Sequence, residues 1–229
     1  MKEYKYRNEI KFKISEGEAK ALIQRLSTVL DKDKNAYYSD GSYLIKSLYF
    51  DDIESTSYYE KLDGVLYRKK YRIRIYNNDS TFIKLEKKMK HNNMTAKESQ
   101  LISKEIYSKI LNGNIDGISY ESGSLLEEFI ANYKCKLLVP SVLVAYQRIA
   151  FVYPVSDVRI TFDFNIKSGL YNYDLFDEEN ALYSVNEKGK VVLEVKFNEI
   201  LPYHIACILE SVSNYREATS KFAICRSIK

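Results

Sequence analysis

Four basic side chains recur at every second position of the stretch YRKKYRIRIY, residues 67–76, namely Arg68, Lys70, Arg72 and Arg74. Side chains of a β-strand alternate between its two faces, so this spacing places all four on one face of a predicted strand. Guanidinium and ammonium groups in such a row suit an anion with several phosphates, because each phosphate oxygen accepts charge-assisted hydrogen bonds. The row therefore indicates either a solvated charged surface or a site for a polyanion.

Other predicted strands repeat this alternation, and their polar faces carry residue types that bind charged ligands. The opposite faces are apolar, as with Ile83 and Leu85 beside Lys84. The residues that share polar faces are Glu9, Lys11 and Lys13; Lys84, Glu86 and Lys88; Tyr146 and Arg148; Arg159, Thr161 and Asp163; and Glu194 and Lys196.

Period-two patterning separated by turn residues predicts antiparallel strands, and helical spacing of apolar residues predicts fewer helices. The pattern indicates one α+β domain over residues 1–229 in which antiparallel strands dominate. Strands are predicted at 8–14, 43–50, 66–77, 81–89, 94–101, 141–152, 157–165 and 190–198, with weaker ones at 170–175 and 181–185. Helices are predicted at 17–31, 104–112, 124–135, 202–213 and from about Thr219, whose hydroxyl can cap the last one.

Composition is that of a soluble protein, with 45% hydrophobic and 29% charged residues. A net charge of only +4 argues against a strongly basic nucleic-acid coat, although residues 67–90 hold nine Lys or Arg against two acids. The three cysteines are widely spaced and indicate free thiols in a reducing compartment. No apolar run is long enough to insert into a membrane, so we expect a cytoplasmic protein.

Two architectures can hold strands with charged faces. One is an open sheet whose helices cover the apolar face while the charged face meets water. The other is a barrel with its apolar residues outside, under helices, and about ten cations inside a lumen, where only an anion such as a triphosphate would relieve their repulsion. The pattern alone favours the open sheet.

The sequence also resembles the VTC domain family, the polyphosphate polymerase domains within the CYTH-like triphosphate tunnel metalloenzymes. The resemblance runs from about Arg7 to Arg226, with its segments in family order. The matching segments are RNEIKFKI, SLYFDD, YYEKLDGVLYRKKYRIRIY, FIKLEKK with TAKES, LVAYQRIAFVYP, VRITFDFNI, VVLEVKFNEILP and SKFAICR. It implies an antiparallel β-barrel tunnel with a basic lumen and flanking helices, which replaces the open sheet as the expected fold.

The resemblance further implies a nucleoside triphosphate and polyphosphate as ligands, with Mn²⁺ or Mg²⁺ as cofactor held by Glu194. It implies five residues that act on the reacting phosphate, namely Arg72, Arg74, Arg148, Arg159 and Lys221. Phosphate binding is implied for Lys11, Lys84, Lys87, Lys97, Tyr146, Lys196 and Ser220. A purely structural role, as a partner in an ion pair, stays open for several of these residues. The possible pairs are Arg148 and Arg159 with acids such as Asp163, Lys97 with Glu98 or Glu105, and Glu194 with Lys196.

One departure from the wider group concerns the first strand, where the pattern ExExK becomes Glu9, Lys11 and Lys13. One fewer carboxylate fits a polymerase better than a hydrolytic site with two metals. We therefore expect transfer of the γ-phosphate of ATP onto a polyphosphate chain, with a triphosphatase or a non-catalytic polyphosphate sensor as alternatives. Nucleic-acid binding is not expected, and a membrane-protein partner cannot be identified from the sequence.

Overall fold

Antiparallel strands surrounded by helices make up most of the chain. The computed structural model describes residues 3–38, 40–185, 187–210 and 219–228. Its strands are β1 Arg7–Ser15, β2 Asp31–Lys32, β3 Ser42–Asp51, β4 Tyr67–Tyr76, β5 Ile83–His91, β6 Met94–Ile102, β7 Val139–Tyr153, β8 Val158–Gly169, β9 Tyr183–Ser184 and β10 Lys190–Phe197. Its helices are α1 Glu16–Leu26, α2 Thr56–Leu62, α3 Lys104–Leu111, α4 Leu125–Cys135, α5 Tyr203–Leu209 and α6 Lys221–Arg226, and a short 3-10 helix spans Pro154–Ser156.

The sheet closes on itself. Its strand order is β2-β7-β3-β4-β5-β6-β1-β10-β8-β9, and an additional pairing of β7 with β8 joins eight of these strands into a ring. This confirms the expected α+β fold with an antiparallel barrel. A closed ring leaves each of its strands a neighbour on both sides, which an open sheet cannot do.

The ring has one weak seam, between β1 and β6. β1 pairs with β10 along eight register positions, from Asn8 to Ser15. It pairs with β6 only at Arg7, opposite Thr95, and at Asn8, opposite Met94. From Glu9 onward, that edge of β1 has no strand partner among the described residues, so the barrel wall opens there.

Apolar side chains cover the outside of the barrel and are buried under helices. Ile73 and Leu85 of β4 and β5 pack in one cluster with Phe129 of α4. A second cluster joins Leu193 of β10 to Leu22 of α1 and to residues of β1, β7, β8 and α5. Burying one such side chain contributes roughly 1.5–3 kcal/mol. The opposite faces of these strands point into the barrel and carry most of the charged side chains. A third buried cluster, which joins Tyr49 and Tyr146 to Phe222 of α6, also reaches this inner side.

The observed helix ends agree with the sequence-based prediction at some positions and differ from it at others. Ser15 caps α1 and forms a capping box with Glu18. Ser220, and not the expected Thr219, caps α6, because the Ser220 hydroxyl accepts the backbone N–H of Ala223. The predicted helix 202–213 is helical over Tyr203–Leu209, and its last three residues lie outside the described ranges.

Two further differences concern the connections. The predicted strand 170–175 is absent, and the one at 181–185 shrinks to β9. Sequence patterning missed α2, a helix with no buried residue and therefore with no apolar period to detect. The cysteines are free thiols. No helix in the described ranges has both the length and the apolar character needed to cross a bilayer.

Candidate functional site inside the barrel

The inward-facing side chains surround a space of about 560 Å³, here called the central cavity. In the described part of the chain its lining holds fourteen basic side chains and two carboxylates, Glu9 and Glu194. The basic residues are Lys5, Arg7, Lys11, Lys34, Lys70, Arg72, Arg74, Lys84, Lys88, Lys97, Arg148, Arg159, Lys196 and Lys221. A concave surface so rich in one sign of charge attracts a polyanion.

Glu86 organises the cations of β4, β5 and β6. Its fully buried carboxylate accepts a hydrogen bond from Arg72 Nε at 2.7 Å and lies 2.6 Å from Arg72 Nη2. It also pairs with Lys97 Nζ at 2.7 Å. Arg74 Nε lies 3.9 Å from the same carboxylate. Burial alone would raise the pKa of Glu86, but Arg72, Arg74 and Lys97 outweigh it and hold that pKa well below its usual value. The carboxylate therefore stays ionised and fixes the cations around it.

Neutral hydroxyl groups orient the same two guanidinium groups. Arg72 Nη1 donates to the hydroxyl of Tyr49 at 2.8 Å. Arg74 donates through Nε to Ser47 Oγ at 3.0 Å and through Nη2 to the hydroxyl of Tyr146 at 3.1 Å. Because β3 carries Ser47 and Tyr49 directly beside β4, the arginines hold fixed orientations in the cavity wall. Such preorganised donors can bind phosphate oxygens with little rearrangement.

Asp163 plays the corresponding part for β7, β8 and α6. Arg148 binds this buried carboxylate with two hydrogen bonds, from Nε at 2.6 Å and Nη2 at 2.8 Å. Lys221 of α6 places its Nζ 2.5 Å from the same carboxylate. The structural ion pair that the sequence left open is therefore present for Arg148. Arg159 pairs instead with Asp33, at 2.6 Å.

Two carboxylates lie on adjacent, paired strands, Glu9 on β1 and Glu194 on β10. Glu9 is opposite Lys196 in the register, and Glu194 is opposite Lys11. Lys196 Nζ lies 2.5 Å from Glu194, and Lys11 Nζ lies 3.1 Å from Glu9. Lys88 Nζ contacts Glu9 at 2.9 Å. Burial and mutual repulsion would raise the pKa of Glu9, yet Lys11, Lys88 and Lys196 hold it well below its usual value. Burial would likewise raise the pKa of Glu194, and the surrounding lysines, Lys196 first, hold it low. Both carboxylates are therefore ionised.

The implied divalent metal fits these two carboxylates only in part. No group of three or more His, Cys, Asp or Glu side chains in the described ranges could hold a metal ion alone. Glu9 and Glu194 are ionised oxygen donors, which Mg²⁺ and Mn²⁺ prefer. Mg²⁺ commonly takes one or two carboxylates and completes its shell with water and substrate phosphates. The site thus fits a metal that is shared with a bound phosphate.

The structure brings together every residue of the predicted site except Lys87. Eleven of them line the central cavity beside Glu194, namely Lys11, Arg72, Arg74, Lys84, Lys97, Tyr146, Arg148, Arg159, Lys196, Ser220 and Lys221. Lys84 Nζ lies 4.6 Å from the centre of the Phe82 ring. Lys87 lies on the opposite face of β5, where it pairs with Glu98 at 2.9 Å and with Glu128 of α4. The roles of these residues remain predictions.

Several residues in the cavity lining or directly behind it were not assigned to the site from the sequence. Glu9, Lys70, Glu86 and Lys88 stand in phase with assigned residues on their own strands, so the period-two pattern could have found them. Lys88, rather than Lys87, shares the face of Lys84. Asp33 follows the two-residue strand β2 and carried no periodic signal.

Comparison with known proteins gives a family and a fold. The VTC domain model matches residues 6–228. The protein HpAC1 from Hippeastrum, described as an adenylyl cyclase candidate with a dominant triphosphatase activity, has 16% sequence identity and a TM-score of 0.55, over 96% of this chain and 95% of its own. A conserved hypothetical protein from Pyrococcus furiosus has 12% identity and a TM-score of 0.50, over 95% and 99% of the two chains. No curated protein sequence matches the chain.

Proposed function

The chain belongs to the VTC domain family, with the fold of the CYTH-like triphosphate tunnel proteins, and we propose that it is a polyphosphate polymerase. It would transfer the γ-phosphate of a nucleoside triphosphate, ATP, onto the end of a polyphosphate chain inside the central cavity. The observation that carries this proposal is that, among the residues the structure describes, fourteen cations from many separate elements converge on one walled space with only two lining carboxylates.

The transfer forms one bond and breaks another. A terminal oxygen of the growing chain attacks the γ-phosphorus in line, and the bond between that phosphorus and the β–γ bridging oxygen breaks, so ADP leaves with the electron pair. The attacking oxygen is already ionised and needs no general base. Catalysis then consists of positioning and charge stabilisation. This agrees with a chain that has only two histidines.

The barrel supplies donors from opposite walls. Arg72 and Arg74 on β4 lie four strands around the ring from Lys196 on β10, and Lys97 on β6 lies four strands from Arg148 on β7. A phosphate chain between these walls would accept hydrogen bonds from donors on both sides. Planar guanidinium forks match the geometry of phosphate oxygens and so fix the γ-phosphate in place.

A divalent ion, Mn²⁺ or Mg²⁺, would be held by Glu194 with Glu9 beside it. When bound, it would neutralise charge on the phosphate oxygens and so make the γ-phosphorus easier to attack. Lys11, Lys88 and Lys196 keep both carboxylates ionised, as metal binding requires.

A triphosphatase is the second candidate, and one observation favours it. Glu9 lines the central cavity together with Glu194, so the barrel interior holds two carboxylates although Lys11 replaces the second glutamate of the ExExK pattern. Such an enzyme would transfer the same phosphoryl group to water. The triphosphatase activity described for HpAC1 agrees with this alternative, although the likeness to HpAC1 shows only the fold.

The decisive assay is incubation with ATP and Mn²⁺ or Mg²⁺, followed by separate measurement of long phosphate chains and of free phosphate. A polymerase yields chains, and Arg72→Gln should lower kcat by roughly 100-fold or more, because it removes a preorganised donor to the reacting phosphate. Lys20→Gln, on the exposed face of α1, is the matched control and should change nothing. Release of free phosphate alone would establish the triphosphatase, and tight polyphosphate binding without turnover would establish a sensor.

A further inference from the structure

A second basic space adjoins the central cavity where the barrel wall opens beside β1. It measures about 480 Å³ and is here called the side cavity. Five residues line both spaces, namely Glu9, Lys11, Lys70, Lys88 and Ser220. The two cavities therefore adjoin each other at these shared side chains. It lies at the seam, where β1 beyond Asn8 has lost its pairing with β6.

Basic residues dominate the side cavity as well. Beyond the shared residues, Lys61 of α2, Arg68 of β4 and Lys90 of β5 contribute to its lining. Glu9 is the one carboxylate that lines it in the described part of the chain, and Lys11 and Lys88 already pair with Glu9. Three further cations therefore meet at its outer part with no lining carboxylate left for them.

These outer cations form no salt bridge with the acidic side chains that the structure describes. Within the described ranges, no carboxylate lies at salt-bridge distance from Lys61, Arg68 or Lys90. Arg68 Nη1 donates to the backbone carbonyl of Glu60 at 3.1 Å, and the charge of the Glu60 side chain offsets only part of the effect that burial has on the Arg68 pKa, which stays lowered. Burial lowers the pKa of Lys90, and the charges of Arg68 and Lys11 lower it further, although Glu9 opposes them. Three cations without a salt bridge in the described ranges repel one another and would be stabilised by an anion.

Lys70 stands at the junction of the two cavities. Its Nζ is buried, has no hydrogen-bond partner among the described residues, and lies 4.0 Å from the centre of the Phe222 ring. Burial lowers the pKa of Lys70 to about 7, and Arg68, Lys61 and Lys88 add to this, although Asp51 opposes it. A buried ammonium without a partner is costly, so this position gains strongly from a phosphate oxygen.

The lining chemistry distinguishes between polyanions. Proteins that bind single-stranded nucleic acid stack its bases on aromatic side chains. No aromatic side chain in the described ranges lines the side cavity. Apart from Glu9 and Ile10, its lining offers ammonium, guanidinium, amide and hydroxyl groups, which bind phosphate oxygens but give no surface for base stacking. A bare phosphate chain therefore fits better than an oligonucleotide.

We propose that the side cavity is a second binding site, which holds the phosphate units of a polyphosphate chain that extends from the central cavity through the seam. Lys61, Arg68 and Lys90 bind these outer units, and Lys70 binds the unit at the junction. The inference rests on the proposed function, because it takes polyphosphate as the ligand. It makes the protein selective for long chains over tripolyphosphate, which ends within the central cavity.

The test compares binding of tripolyphosphate and of long-chain polyphosphate by titration calorimetry, without nucleotide and with EDTA present. The side-cavity variant is Lys61→Gln/Lys90→Gln, and the control Lys20→Gln/Lys188→Gln removes two exposed lysines elsewhere. The side-cavity variant should bind long chains at least about tenfold more weakly, since it loses charge-assisted hydrogen bonds, while its affinity for tripolyphosphate stays within about twofold. The control variant should match the wild type for both ligands.

Three results would overturn the proposal. The side-cavity variant could lose affinity for both ligands equally, it could lose none, or a single-stranded oligonucleotide could compete as well as polyphosphate. Because no turnover is measured, a protein without polymerase activity would still give a readable answer. A wild type that fails to bind tripolyphosphate would instead contradict the proposed function itself.

Discussion

The central cavity and the side cavity are both basic, but their cations are compensated differently. In the central cavity Arg72 pairs with Glu86, Arg148 pairs with Asp163, and Lys196 pairs with Glu194. In the side cavity Lys61 and Lys90 have no such partner within the described ranges. Paired guanidinium groups keep fixed orientations, whereas unpaired ammonium groups attract an anion without orienting it. The difference suggests that one space serves chemistry and the other serves affinity.

Compensation inside the barrel solves a physical problem of the fold. The fourteen cations that line this cavity in the described part of the chain would destabilise the barrel by repulsion unless counter-charges lay close by. Glu86 and Asp163 lie behind the cations, fully buried, rather than in the cavity lining. From there they neutralise part of the charge and leave the remaining donors of the arginines directed into the cavity.

The largest effect expected from this difference is on stability, in Glu86→Gln. The substitution leaves Arg72, Arg74 and Lys97 without their shared carboxylate, and breaking a buried ion pair in this way costs roughly 3–5 kcal/mol of unfolding free energy. Denaturation in urea measures it. Glu105→Gln, at an exposed pair on α3, is the control and should leave stability unchanged.

Tripolyphosphate provides a second measurement on Glu86→Gln. Because the anion replaces the missing charge, it should raise the denaturation midpoint of the variant more than that of the wild type. A stability loss below about 1 kcal/mol, with no extra stabilisation by the anion, would show that the cations do not depend on Glu86.

A smaller effect is expected from pH at Lys70. A lysine with a pKa of about 7 is charged below that pH and neutral above it. The affinity for long-chain polyphosphate should therefore fall between pH 6 and pH 8, by roughly threefold to tenfold. Lys70→Arg keeps its charge over this range and should weaken the dependence, leaving the part that comes from Lys88, whose pKa burial also lowers to about 7. Equal pH dependence in both proteins would contradict the role of Lys70.

The smallest effect sharpens the contrast between the cavities. Lys61→Gln/Lys90→Gln removes charges that repel Arg68, so the unfolding free energy should stay the same or rise by at most about 0.5 kcal/mol. The same denaturation experiment measures it, with Lys20→Gln/Lys188→Gln as the control. A loss of more than about 1 kcal/mol would mean that these lysines are stabilised by partners and are not an uncompensated cluster.

The sequence predicted the faces of the strands but could not decide which face lies inside. An open sheet and an inverted barrel have the same period of two, and the choice depends on the pairing of β7 with β8, which no local pattern encodes. The family resemblance supplied the closed form. The same resemblance led to Lys87, although its position is out of phase with Lys84 and Lys88 takes the inward place.

Counter-charges were harder to predict than cations. Glu86 stood in phase with Lys84 and was visible in the sequence, but its link to Arg72 on another strand depends on the register between β4 and β5. Asp33 lies in a connection far from Arg159 in the sequence, and only folding brings the two together. The side cavity depends on the short pairing of β1 with β6, which the strand pattern does not reveal.

A crystal structure of the protein with tripolyphosphate and Mn²⁺ tests the central claim most directly. We expect phosphate density inside the barrel, within hydrogen-bonding distance of Arg72, Arg74 and Arg148, and a metal ion in contact with Glu194. Phosphate bound only on the outer surface, with the central cavity holding water alone, would contradict the account.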